Sequence, residues 1–343
     1  MEDNEKTEQN TQSEAEREEE ILLFDTQDDT DARDTDKKER RGLLCIIFLM
    51  AVALILAVLW FVLDPLGNGK AREEAKLEAA ITEPLPYGTL ELYVPDTGNA
   101  SSALLLAPDG TSMLVDCGDE KHYDAVKAML DSLGITRIDM LVLTHMHKDS
   151  VEALPLLLRD IPVGEVYMSD QSNTTDACKS VLRALENAAI PVTRVLLSPS
   201  DTGPMDIPWA ENVTVTALSP FEGTYIDAND FSLILRVAYG NTSVLLPGDA
   251  GMAEEKIAIK ALPNHYFHST VLLVAQNGDD DATGDKFLST VRPSFAVIHV
   301  KNESEPDGKL LKRLADSGTS VLFADNDIPV HLTLDGFAAE VVE

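Results

Sequence analysis

Leu143-Thr144-His145-Met146-His147-Lys148-Asp149-Ser150 is the stretch on which the reading of this chain turns. It follows Ile138-Asp139-Met140-Leu141-Val142-Leu143, an apolar run of the length and texture of a buried strand. A helical pattern over residues 151–158 comes next. His-x-His at the end of a strand can aim two imidazoles at one ion, and Asp149 adds a carboxylate two residues on. Nitrogen and oxygen donors of this kind suit zinc or manganese. A second acidic residue, Asp249, closes Leu245-Leu246-Pro247-Gly248-Asp249, again just past an apolar strand. The four candidate ligands are therefore His145, His147, Asp149 and Asp249.

Outward from these two segments, the periodicity alternates between strand and helix. Strands are predicted over residues 90–94, 102–106 and 112–115, the last two joined by the hairpin signal Pro108-Asp109-Gly110. A helix over 123–133 ends at Gly134 as a C-cap would. Strand 166–168, helix 175–189 and strand 192–197 follow, then a Pro/Gly/Ser-rich break near 198–210. Strands at 213–218, 231–238 and 242–246 come next, with Tyr239-Gly240-Asn241 as the turn between the last two. Helix 252–262, strand 271–274, helix 285–288, strand 295–300, helix 309–316 and strands 321–323 and 330–334 complete the pattern. This is a layered α/β protein of two sheets covered by helices.

Six motifs in order resemble the metallo-β-lactamase superfamily, and within it the exterior hydrolase-like domain of ComEC-type competence proteins, over residues 88–343. Leu114-Val115-Asp116-Cys117-Gly118 is similar to the family's strand ending in Asp-Gly-Gly, and residues 143–150 to its T-H-x-H-x-D-H motif. Asn229-Asp230-Phe231-Ser232-Leu233-Ile234-Leu235 with Tyr239-Gly240 is similar to its N-x-x-S-L-V-L…Y-G hairpin, and Leu246-Pro247-Gly248-Asp249 to its T-G-D. Val271-Leu272-Leu273-Val274-Ala275-Gln276-Asn277-Gly278 takes the place of its V-L-K-V-x-H-H-G, and Ala296-Val297-Ile298 with residues 309–324 continues the likeness. The resemblance implies an αββα sandwich. It also implies a site in which His145 and His147 hold one ion, Asp149 and a further imidazole hold a second, and Asp249 bridges. Three ligand positions have degenerated: Ser150 stands where the family has His, and Gln276-Asn277 replace His-His. What remains is the ligand count of one catalytic zinc or manganese ion, three protein groups and a water. Asp149 is then the catalytic candidate, orienting the water or acting as base, and Asp116 a structural residue at a strand-end turn.

Two functions stay open on this evidence. One is a metallohydrolase acting on a phosphodiester or other ester through a metal-activated water. The other is a catalytically inactive binding or sensing module with no metal cofactor. In the second, Gln276 and Asn277 fill the old site with mutual hydrogen bonds, and Asp249 merely caps the helix near Met252. His122, His265, His268, His299 and His331 match no motif and read as surface or packing residues. Asp279-Asp280-Asp281 reads as a solvated loop.

Composition narrows the setting. The 343 residues carry 59 acidic and 27 basic side chains, a net charge of -32, which argues against a general nucleic-acid surface. Residues 1–42, with 16 acidic and 7 basic side chains, form a tail of low hydrophobicity expected to be disordered. Residues 43–63 are uncharged and apolar, about 32 Å as a helix, enough to span a bilayer. Lys37, Lys38, Arg40 and Arg41 precede this run and Asp64 follows it, placing the N-terminus in the cytoplasm and the C-terminal domain outside the cell. Residues 64–87 read as a stalk. A DNA-uptake channel is disfavoured, since only one span is present. Cys117 and Cys178 are expected to be free thiols, and Cys45 lies in the apolar run. No protein partner is legible.

Overall fold

The computed structural model describes residues 85–342, apart from 172–174, 199, 201–202, 224–228, 301–305 and 326–327. The tail, the apolar run and all but the last residues of the stalk lie outside these. Among the described residues no helix is long and apolar enough to cross a membrane. The chain divides into two units, residues 1–75 and 76–343, and every described residue belongs to the second.

Two sheets make the frame. The first has eight strands: β1 (Leu90–Val94), β2 (Ala103–Leu106), β3 (Ser112–Val115), β4 (Ile138–Leu143), β5 (Val163–Ser169), β6 (Val192–Val195), β14 (Val330–Leu334) and β15 (Ala339–Val341), in the order β15-β14-β1-β2-β3-β4-β5-β6. The second has seven: β7 (Met205–Ile207), β8 (Val213–Ala217), β9 (Leu235–Tyr239), β10 (Thr242–Leu246), β11 (Val271–Leu273), β12 (Phe295–His299) and β13 (Ser320–Ala324), in the order β13-β12-β11-β10-β9-β8-β7. The runs β3-β4-β5-β6 and β10-β11-β12-β13 are parallel.

Alternation of side chains along each strand explains the layering. Leu105, Met113, Val115, Met140 and Val142 of the first sheet face Val215, Val237, Val244, Leu246, Val271 and Val297 of the second in one core. Their neighbours Leu104, Leu114, Leu141 and Leu143 turn outward, against helices α1 (Tyr123–Ser132), α2 (Lys148–Val151), α3 (Leu154–Asp160) and α4 (Asp176–Ala188). On the other side Leu245, Leu272, Ala296 and Ile298 pack on α5 (Met252–Ala261), α6 (Asp285–Val291) and α7 (Gly308–Asp316). The result is the expected αββα sandwich. Strands covered on both faces read as continuous apolar runs, as residues 138–143 do.

Four local expectations need correction. The strand drawn over 231–238 is a 3-10 turn, Asn229–Phe231, then a non-ladder segment before β9. Residues 232–234 spend their backbone groups elsewhere: Leu233 N donates to Thr144 O at 2.8 Å, and Ser219 Oγ donates to Ser232 O at 2.7 Å. The helix over 151–158 is two helices, because Pro155 lacks an N–H and clashes with the preceding turn. β7 lies inside the Pro/Gly/Ser-rich break, and β15 is a three-residue edge strand. Asp280 does not sit in free solvent: its carboxylate pairs with Lys309 at 2.7 Å and with Arg313. Cys117 and Cys178 are buried free thiols.

Candidate metal centre

The candidate ligands gather where the carboxyl ends of parallel strands from the two sheets meet, the usual place for a site in open α/β sheets. β4 delivers Thr144, His145 and His147 and leads into α2, which carries Asp149 and Ser150. β10 leads through Gly248 to Asp249, and β11 leads into the Ala275–Gly278 turn. His145, His147 and Asp149 each offer a ligand atom, and these atoms lie within 4.8 Å of one another. The two imidazole rings meet edge to face with centroids 5.0 Å apart. Asp249 stands beside this cluster, its Oδ2 3.4 Å from His145 Nε2.

The shell behind the ligands sets their orientation. Asp116 accepts from Thr144 N at 2.8 Å and from Thr144 Oγ1 at 2.7 Å. The Thr144 hydroxyl proton is thereby committed, so toward His145 Nδ1, 3.0 Å away, Thr144 Oγ1 can only accept. The ring therefore carries its hydrogen on Nδ1 and presents the Nε2 lone pair to the site, the second-shell arrangement of a metal-bound imidazole. Gly248 makes the close approach possible: its φ is +57°, and a Cβ there would sit 2.7 Å from Thr144 Oγ1. Asp249 N donates to Ser232 Oγ at 3.1 Å, and Met146 N donates to Gln171 Oε1 at 2.8 Å.

The electrostatics call for a cation. Burial pushes the Asp116 carboxyl up to about 7, against the opposing pull of His145 and Thr144. Burial, then the charge of Asp249, raises Asp149. Burial works against ionisation of Asp249 too, but the neighbouring His145 prevails and holds it below the ordinary range. Burial would lower His145, and Asp249 foremost draws it up instead. Three carboxyls around two imidazoles thus lack positive charge. Two buried atoms, His145 Nε2 and Asp149 Oδ1, have no hydrogen-bond partner. The 3.4 Å contact from Nε2 to Asp249 is within ion-pair range but lacks hydrogen-bond geometry. Orphaned donor atoms of this type, in a nitrogen-and-oxygen set, fit a divalent cation such as zinc or manganese.

The replaced positions are occupied differently from the mutual pairing considered above. Ser150 is fully buried with an unpartnered Oγ, while its carbonyl accepts from Cys117 N at 2.9 Å. Gln276 holds Asp249, its N–H donating to Oδ1 at 3.2 Å and its Nε2 to the backbone carbonyl at 3.0 Å. Asn277 Nδ2 donates to Asn99 O at 3.1 Å. Both residues have left-handed backbones, φ 52° and 51°, a conformation uncommon for Gln that these bonds hold in place. Asp249 does not cap the following helix, whose N-cap is Gly251. Thr144 and Ser232 stand inside the quoted motifs without a role assigned to them, Asn99 stands in none, and His299, read as a packing residue, is buried at the C-terminal end of β12. A cavity of about 530 Å³ opens beside the cluster, lined among others by Asn99, Asp119, His147, Lys148, Asp149 and Thr175.

Comparison with known proteins bears on this arrangement. The chain is 24% identical over 257 residues to ComE operon protein 3 of Bacillus subtilis, covering 69% of this chain and 32% of the relative. It is 25% identical over 248 residues to competence protein ComA of Neisseria gonorrhoeae, covering 71% and 32%. The chain thus spans about a third of the length of these curated relatives. Among solved structures, the metallo-beta-lactamase fold protein YhfI from Bacillus subtilis is similar at 14% identity and a TM-score of 0.49, covering 71% of this chain and 99% of that one. The family model for the metallo-beta-lactamase superfamily matches residues 96–298, from the loop after β1 to the penultimate residue of β12. That match takes in more than half of the chain and every residue of the metal cluster, so the protein belongs to the metallo-beta-lactamase superfamily.

Proposed function

We propose that this protein is a membrane-tethered, extracellular hydrolase of phosphodiesters or related esters that works with a divalent cation, zinc or manganese, held by His145, His147 and Asp149 with Asp249 alongside. The observation that carries this reading is the pair of buried atoms without a hydrogen bond, His145 Nε2 and Asp149 Oδ1, in one cluster with His147. A cation bound there supplies electrophilic polarisation of a substrate oxygen and an acidified water. The chain's own groups do the rest. Thr144 and Asp116 hold the His145 ring in the tautomer that leaves Nε2 bare. Asp249, its Oδ2 3.4 Å from His145 Nε2, supplies negative charge beside the cluster. Asp149, whose carboxyl is raised by burial, is placed to take a proton from the attacking water. The adjoining cavity, with Lys148 at its edge, admits an anionic ester. The apolar run of residues 43–63, with basic residues before it, supports a single-span anchor that leaves this domain outside the cell.

A second reading, a non-catalytic binding or sensing module, is favoured by Gln276 and Asn277, two neutral amides already committed to Asp249 and Asn99. One experiment separates the two. The purified full chain is loaded with zinc or manganese, and bound metal and hydrolysis of bis(p-nitrophenyl) phosphate are measured beside the His147→Ala, Asp249→Ala double variant. Tightly held metal and turnover, both lost in the variant, support the hydrolase. Metal without turnover supports the binding module, and no metal at saturating supply refutes the metal centre. Protease shaving of intact cells tests the tether: survival of the C-terminal domain refutes the extracellular placement.

A further inference from the structure

Asp119 is a carboxylate of the cavity wall that the metal centre does not use. It stands on the loop 116–122 between β3 and α1, and that loop is pinned to the segment carrying Asp149. Cys117 N donates to Ser150 O at 2.9 Å, and Ala153 N donates to Gly118 O at 3.0 Å. One oxygen of Asp119 is committed: Oδ1 accepts from His122 N at 2.8 Å and lies 2.8 Å from His122 Nδ1. The other, Oδ2, has no hydrogen bond among the described residues, although the side chain is only 16% exposed. A carboxylate oxygen so far withdrawn from water is costly to leave without a donor or a cation.

The surroundings indicate what that group is. One cavity of about 530 Å³ joins Asp119 to His147 and Asp149. Besides His147, its charged lining groups are Asp119, Lys148 and Asp149, and Asn99, Met146, Thr175 and Ala177 add none. Asp149 is spent on the ion of the proposed centre. Lys148 is exposed and leans toward Glu152, its Nζ 3.2 Å from Oε1. The charge left uncommitted in the wall is therefore negative, at Asp119. It repels an ester whose only charge is its phosphate and attracts one that also carries a cation.

We propose that this cavity selects zwitterionic phosphodiesters, in which an ammonium group is joined to the phosphate by a short alkyl link, and that Asp119 receives the ammonium. This rests on the hydrolase reading and names its substrate class. Asp119 is a specificity residue, neither a ligand of the ion nor a participant in bond cleavage, so it acts on KM and leaves kcat and zinc affinity alone.

The test compares two p-nitrophenyl phosphodiesters of one shape on the zinc-loaded full chain in nonionic detergent: the choline ester and its uncharged neohexyl isostere, in which carbon replaces the quaternary nitrogen. The wild type should show a KM roughly tenfold lower for the choline ester at similar kcat. Asp119→Asn, which keeps an oxygen for His122, should lose that difference while retaining wild-type melting and zinc affinity, and Asp119→Glu should recover part of it. Calorimetric titration with phosphorylcholine and neohexyl phosphate should read the same preference as binding, without turnover. Equal treatment of the two members of each pair by the wild type, or a preference that survives in Asp119→Asn, overturns the proposal. Turnover of neither ester by metal-loaded protein overturns the hydrolase reading instead, and the calorimetric preference then decides for or against Asp119 by itself. Release of phosphorylcholine from phosphatidylcholine vesicles would identify a lipid headgroup as the source of the ester, and turnover of the soluble ester alone would identify a free one.

Discussion

Gly248→Ala probes the centre without touching a ligand. Gly248 has φ +57°, and a Cβ there would lie 2.7 Å from Thr144 Oγ1, 2.8 Å from Thr144 Cβ and 3.2 Å from Ser232 Cβ. The left-handed backbone alone costs a non-glycine residue about 1–2 kcal/mol. Thr144 must also move, and it carries the bonds to Asp116 and His145. Leaving a buried carboxylate oxygen without its donor adds roughly 1–3 kcal/mol. Gly134→Ala is the control: its φ is +68° and nothing lies within 4 Å of its Cβ, so it meets the backbone cost alone. At about 2–4 °C per kcal/mol for a domain of this size, the control should melt roughly 2–8 °C below wild type and Gly248→Ala roughly 4–20 °C below it. Zinc affinity should fall about 10- to 100-fold in Gly248→Ala, as for other losses of second-shell support, and stay unchanged in the control. The assay is thermal melting of the stripped chains followed by zinc competition against a chelating dye. Equal melting and equal zinc affinity of the two variants would refute the link from Gly248 through Thr144 to His145.

Other expectations follow from the same geometry. Thr144→Val keeps the shape but removes the hydroxyl between Asp116 and His145, so zinc affinity should fall about 10- to 100-fold, and wild-type affinity in a folded variant would count against the tautomer argument. Burial raises Glu255 to about 7, above its ordinary 4.5, despite bonds from Thr283 N and Gly284 N. The folded state then binds this proton more tightly than the unfolded one, so stability falls as pH rises from about 4.5 to about 7. Glu255→Gln should remove on the order of 2 kcal/mol of that fall, read from urea melts at pH 5 and pH 7.5, and parallel profiles would refute the burial argument. Gln276→Ala removes a donor to the Asp249 carbonyl but no ligand, so it should cost about 1 kcal/mol and leave tight zinc binding within a few-fold. A drop as large as that of His147→Ala would instead make Gln276 part of the cation shell.

Much of this fold is legible because its strands declare themselves by period. Residues 138–143 are apolar at all but one place, and 242–246 set Val-Leu-Leu after two small hydroxyl residues with every position buried, as suits strands covered on both faces. The metal cluster is legible for a local reason: three of its donors fall within five residues after one strand. What is not legible depends on partners far along the chain. The segment 232–234 has a strand's side chains, but its backbone bonds to Thr144 and Ser219, which no periodicity reveals. β7 and β15 are too short to show alternation. Thr144 reads as a filler between a strand and a histidine until Asp116 is found behind it. His299 looks like the last residue of a buried strand, which it is, and only the burial of an unpaired nitrogen distinguishes it.

The segment at 232–234 also has a wider consequence. Its Leu233 N–H grips the motif loop of the first sheet, while the Ser232 hydroxyl receives the Asp249 N–H of the second. Histidines from one half of the chain and an aspartate from the other are thereby fastened by a single stitch of three residues. The first half carries the three clustered donors, but the aspartate beside them and the stitch that steadies their loop come from the second, so a fragment cut between β6 and β7 would bind cation poorly until its partner reassociated. Cation uptake in such a mixture would report directly on the joining of the two halves.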